Sequence, residues 1–102
     1  MNLMRNHDVW IYVRCANSNP QIAFDRMNDL IDEAAGHGFL VRGTSIDQCG
    51  GNTLKDREGL RIMLDAVQQN SVEAVMVRDL AQISRNSYIL LGVIEILRQC
   101  DV

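Results

Sequence analysis

Val9-Trp10-Ile11-Tyr12-Val13 is the stretch that decides the fold. Five consecutive apolar residues, rich in β-formers and with no polar alternation, read as a strand buried on both faces, as in a parallel sheet. Downstream of it, Asn19-Pro20 predicts a helix start. Asn19 supplies a capping oxygen, and Pro20 has no N–H to leave unsatisfied in the first turn. Phe24, Met27, Leu30, Ile31 and Ala34 then recur at helical spacing, and Gly36 and Gly38 stop the helix. Phe39 to Ile46 is a second strand candidate. Asp47 to Lys55 reads as a loop marked by Gly50-Gly51-Asn52. Asp56 is placed to cap a helix striped by Leu60, Met63, Leu64 and Val67. Val72 to Val77 predicts a third strand, and Asp79 to Arg85 a connection. Asn86 or Ser87 caps a last helix that runs to Gln99. The order β-α-β-α-β-α predicts a three-layer α/β fold, a mostly parallel sheet with helices on both faces and right-handed crossovers.

The last helix is unusual. Ile89, Leu90, Leu91, Val93, Ile94, Ile96 and Leu97 spread apolar surface almost all round it, so it needs cover on two sides. The expectation is one domain over residues 1–102, incomplete at its C-terminus or completed by a partner subunit. The chain shows no linker, repeat or low-complexity tract.

Composition sets outer bounds. The 102 residues suit a single core, with 47% apolar and 23% charged residues as in ordinary globular proteins. A net charge of −3 argues against a free-standing nucleic-acid binder. The basic residues are nine arginines and Lys55, and arginine is the better fork for phosphate or carboxylate. Cys15, Cys49 and Cys100 have neither the pairing nor the spacing of a disulfide framework or a zinc site. His7 and His37 are isolated, and Gly50-Gly51 lacks the lysine of a P-loop. No cofactor and no metal are expected. With no signal-like N-terminus and no apolar run near the ~20 residues that span a bilayer, a soluble cytoplasmic protein is expected.

In a parallel α/β sheet, functional groups gather beyond the carboxyl ends of the strands. Here those places are Arg14 to Asn19, Asp47 to Arg57 and Arg78 to Asn86, and each contains arginine. Arg14, Arg57 and Arg85 could converge on one anion, as phosphoryl transfer requires. On spacing alone, separate surface salt bridges are the simpler account. A phosphate-sensing receiver domain fits poorly, because the first strand ends in Arg14 and lacks an acidic cluster.

The motifs taken together carry a family resemblance. Ile11-Tyr12-Val13-Arg14 resembles the Y-x-R-x-S opening strand of the serine recombinases, the resolvase/invertase family. Gln21 matches a glutamine common at the start of their first helix. Asp47 to Leu60 (DQCGGNTLKDREGL) resembles D-x-x-x-S-G-x-x-x-x-R-P-G-L, and Val75 to Asn86 resembles the strand and L-S-R-N stretch. These motifs lie in order over residues 8–102. The resemblance implies a resolvase-like catalytic domain for DNA recombination, acting within mobile-element DNA resolution, inversion or integration. It implies a metal-free reaction in which a serine hydroxyl attacks the scissile phosphate to give a 5′-phosphoserine link, and four subunits exchange the ends. It makes Arg14, Arg57 and Arg85 phosphate-contacting residues, with Gln21 and Asp47 in orienting roles. Asp47 equally begins a turn.

Two departures fall on positions to which the resemblance gives chemical roles. The nucleophile follows the strand arginine by two positions, and Ala16 stands there. A second arginine precedes the L-S-R-N stretch by one position, and Gln82 stands there, after Ala81 in place of a frequent acidic residue. Impaired or absent strand cleavage is therefore expected. Ser18 is the candidate substitute nucleophile. It lies two residues on, up to roughly 7 Å away in extended chain, whereas attack needs about 3–3.5 Å. Cys15 points away from Arg14 and Ala16 by strand alternation. The expected partners are the DNA backbone, bound weakly by this chain alone, and a second copy or an active relative. The alternative function is a non-catalytic interaction module that docks through the last helix.

Overall fold

The computed structural model describes residues 8–15, 19–48, 57–84, 86–100 and 102. Its elements run β1 (Asp8–Arg14), α1 (Pro20–Gly36), β2 (Leu40–Asp47), α2 (Glu58–Gln68), β3 (Ala74–Met76), a 3-10 turn (Leu80–Gln82) and α3 (Ser87–Gln99). The strands form one parallel sheet in the order β2-β1-β3.

β1 lies in the middle, and the period-two alternation of its side chains divides the interior into two cores. Val9, Ile11 and Val13 pack against Met27, Leu30 and Ala34 of α1. Trp10 and Tyr12 turn to the opposite face and meet Leu60 and Met63 of α2, Ile83, and Val93 of α3. The expected three layers are therefore present, and the uninterrupted apolar run has its explanation in them. Each fully buried aliphatic side chain contributes roughly 1.5–3 kcal/mol, and β1 gives three of them to the α1 core.

The helix ends follow local chemistry. Asn19 Oδ1 accepts the Gln21 N–H at 3.0 Å, with Pro20 in the first turn. Gly38, at φ 76°, rather than Gly36, reverses the chain after α1, and Phe39 N–H closes back on Ala34 O. Asn70, at φ 58°, does the same after α2, where Ser71 N–H returns to Ala66 O. Of the two cap candidates for α3, Asn86 is the cap, and its Oδ1 accepts from Tyr88 N and Ile89 N.

Three boundaries differ from expectation. β2 runs one residue later, Leu40–Asp47, because its last residue still pairs with Arg14. β3 keeps only Ala74–Met76 of the predicted Val72–Val77, since it pairs with no more than Val9, Trp10 and Ile11 before the chain turns away. The N-cap position of α2 falls on Arg57, which makes no side-chain cap, and the expected cap Asp56 lies outside the described residues. The first N–H groups of α2 are satisfied instead by Asp47 of β2.

β2 carries one irregularity. Val9 faces Val41 but Trp10 faces Gly43, which makes Arg42 the extra residue of a bulge. The bulge sets Gly43 beneath the Trp10 ring, where a Cβ would come within 2.2 Å of it. The indole Nε1 donates to Ser45 Oγ at 2.9 Å, and Ser45 Oγ donates to Gly59 O at 2.7 Å. On α3, Val93 is buried while Tyr88, Leu91 and Ile94 are exposed, so the helix is covered on one side. No helix among the described residues is long and apolar enough to cross a membrane.

Candidate active site

The carboxyl ends of β1 and β2 lie side by side. Arg14 stands opposite Asp47, and Cys15 N–H donates to Asp47 O at 2.8 Å. Tyr12 shares the parity of Arg14 on β1, so both belong to the face covered by α2. From there a buried network grows. Tyr12 donates its hydroxyl proton to Asp47 Oδ2 at 2.7 Å and accepts from the Arg57 guanidinium (Nη2) at 2.6 Å. Asp47 also takes Gly59 N–H on Oδ1 at 2.8 Å and Leu60 N–H on Oδ2 at 3.0 Å. A carboxylate at a helix N-terminus is favoured by both the orphan amides and the helix dipole. Residue 59 must be small for this approach, because a Cβ there would lie 3.0 Å from Asp47 Oδ1 and from Ile46 O.

Arg57 is 2% exposed. Its Nη1 donates to Ile83 O, its Nη2 also donates to Gln82 O at 2.6 Å, and its guanidinium carbon lies 5.5 Å from the Tyr12 ring centroid. Its Nε stands 4.0 Å from Asp47 Oδ2. Arg57 thus makes no exposed salt bridge of the kind its spacing suggested. It ties the start of α2 to the 80–84 segment. Burial, then the hydrogen bond to Asp47, push the Tyr12 phenol well above its ordinary pKa, against an opposing effect of Arg57. The phenol therefore stays a proton donor to Asp47 through the neutral range.

Gln82 joins the same cluster from the 3-10 turn. Its Oε1 accepts the Arg14 backbone N–H at 2.8 Å. The structure thus brings Arg14, Asp47, Arg57 and Gln82 together around the end of β1. Gln21 sits on the exposed start of α1, where its Nε2 donates to Asp25 Oδ1 at 2.8 Å. Ala16, Ser18 and Arg85 lie outside the described residues. Cys15 is buried on the α1 side, with Arg26 Nη1 3.7 Å from its Sγ. A cavity of about 160 Å³ opens between Arg26, Asp29, Glu33, Arg78 and Gln82. Its two cations face two carboxylates, so it does not select an anion. Among the described residues no His, Cys, Asp and Glu side chains group as metal ligands.

Tyr12, on sequence alone one residue of the apolar run, is a buried hydrogen-bonding phenol, and Gln82, which brings no charge, is a hydrogen-bond acceptor. The signal for Tyr12 was its place two residues before Arg14 on a strand that also carries a long apolar run. A phenol buried on that run needs a partner.

A family model described as Resolvase, N terminal domain, matches residues 9–102. The chain belongs to the resolvase family. A search of curated proteins finds no match. Among solved structures, this resolvase-type domain is similar to the C-terminal catalytic domain of ISC1926 TnpA, an IS607-like serine recombinase. The TM-score is 0.84 at 22% identity, over 93% of this chain and 65% of that one. It is also similar to the N-terminal catalytic domain of TP901-1 integrase, at TM-score 0.77 and 18% identity, over 93% of this chain and 72% of that one. The fold is thereby shared over 93% of this chain, and the chain spans 65% of the first structure's length.

Proposed function

We propose that this chain is the catalytic-domain portion of a serine-type DNA recombinase whose strand-cleavage step is lost. The observation that carries the reading is Ala16, two residues beyond Arg14 in a resolvase-family domain matched over residues 9–102. Alanine has no atom to attack phosphorus. The surviving role is contact with the DNA backbone through Arg14 and Arg85, with Arg57 as a buried support and Asp47 and Gln21 as orienting groups. Assembly with a second copy or an active relative would complete it. Gln82 brings no charge where the family pattern has arginine, and one lost charge donor at such a site costs about 10²–10³ in rate.

The test is a covalent-trapping assay on nicked or suicide duplex substrates, with and without an active relative. The expected result is no protein–DNA adduct from the natural chain. An adduct that disappears on Ser18→Ala would overturn the reading and make Ser18 the nucleophile.

A second reading is favoured by one observation. Tyr88 (89% exposed) and Leu91 (63%) leave apolar side chains in solvent on α3, as Leu80 (55%) does on the turn before it. On this reading the chain is an interaction module, which would associate without affinity for DNA.

A further inference from the structure

β3 stops at Met76, opposite Ile11, so among the described residues no strand lies beside the last three residues of β1 on that side. Backbone N–H groups alternate in direction along a strand. Cys15 N–H points to β2, where Asp47 O takes it, and Arg14 N–H points to the side that β3 has vacated. The acceptor there is the Gln82 side chain, at 2.8 Å. A backbone N–H can bond only to the carbonyl end of that amide, so Oε1 is the atom that faces it. Arg57 holds the same segment from its other side, through Gln82 O and Ile83 O.

We infer that Gln82 is a positioning residue: its side-chain carbonyl stands in for the missing strand partner and fixes the end of β1 from which Arg14 projects. An arginine at this position has donors and no acceptor. The residue that the family pattern places here therefore cannot make this bond. Gln82 exchanges a charge for a backbone clamp. The backbone claim stands on the geometry alone. Its consequence for anion contact rests on the proposed phosphate role of Arg14.

Two measurements on the full chain separate these parts. The first is amide hydrogen exchange at Arg14 and Cys15 in the natural chain and in the Gln82→Met, Gln82→Arg and Gln82→Glu variants. Met and Arg should speed exchange at Arg14 about tenfold, the loss of one hydrogen bond, and leave Cys15 unchanged. Glu, which keeps an acceptor, should preserve protection at Arg14. Unchanged exchange at Arg14 in Gln82→Met, or equal acceleration at both amides, overturns the inference. The second is titration of a short random-sequence duplex at several salt concentrations. Gln82→Met should weaken binding several-fold with the same salt slope, because no charge is removed. If exchange at Arg14 rises while binding is unaffected, Gln82 keeps its clamping role and the phosphate reading of Arg14 falls.

Discussion

Tyr12, Asp47 and Arg57 form a buried chain linked through the Tyr12 hydroxyl, so the cost of removing one depends on what it strands. Asp47→Ala leaves Arg57 without its counter-charge and the first amides of α2 without acceptors. Breaking one side of a buried pair costs about 3–5 kcal/mol, and urea unfolding should show a loss of that order. Tyr12→Phe strands one Asp47 lone pair and one Arg57 donor, at about 1–3 kcal/mol. The same residue sets a pH dependence. Because the folded phenol titrates above the unfolded one, its stabilisation is complete below pH about 10, the unfolded value. It declines as pH rises beyond that point. Urea midpoints measured between pH 8 and 11 should fall on the alkaline side in the natural chain and fall less in Tyr12→Phe. At this scale the sequence was only partly legible. The alternatives for Asp47, orienting an arginine or beginning a turn, omitted its main role as the cap of α2. Tyr12 and Asp47 are 35 residues apart, and no local pattern joins them.

Among the elements, β1 and α1 were readable because local chemistry dictates them: an unbroken apolar run, an Asn-Pro start and a Gly stop. β3 and the start of α2 were not, since both depend on groups from elsewhere in the chain. The pairing of β3 ends where the chain leaves β1, and the cap of α2 comes from β2. Two glycines give opposite expectations for the same substitution. Gly43→Ala drives a methyl into the Trp10 ring, with three ring atoms at 2.2 to 2.8 Å. Overpacking of this kind costs about 1–3 kcal/mol, and the fluorescence of Trp10, the one tryptophan of the chain, should shift to the red. Gly92→Ala, in the interior of α3 with nothing within 4 Å of the new Cβ, should stabilise by about 0.5–1 kcal/mol. Thermal melts of the two variants should move in opposite directions.

For the whole molecule, the alternation of strands and helices was sufficient to assign the three layers, and the ordered motifs were sufficient to name the family. Which arginines meet was not legible, because burial decides it: Arg57 lies among carbonyls while Arg14 remains at the strand end. Overall charge works against tight DNA binding. With a net charge of −3, the chain should bind duplex DNA non-specifically, with Kd about 10⁻⁴–10⁻⁶ M and a shallow salt slope. Nanomolar binding to one sequence would contradict the proposed role. The exposed side of α3 should favour self-association at high concentration. Leu91→Glu should shift sedimentation toward the monomer and leave the melting temperature nearly unchanged, since Leu91 is 63% exposed.

The two-core use of β1 bears on which changes of chain length the domain can survive. Deleting one residue between Val9 and Val13 would rotate the downstream half of the strand by one pleat. If Trp10 or Ile11 were the residue lost, the Tyr12 hydroxyl would be delivered among Met27 and Leu30, and a valine would face Asp47 and Arg57. Both interiors would be spoiled by a single codon, whereas point substitutions at the same positions damage one interior at a time. Insertions and deletions should therefore be far more damaging in this seven-residue strand than in the bulged edge strand β2, which already accommodates an extra residue.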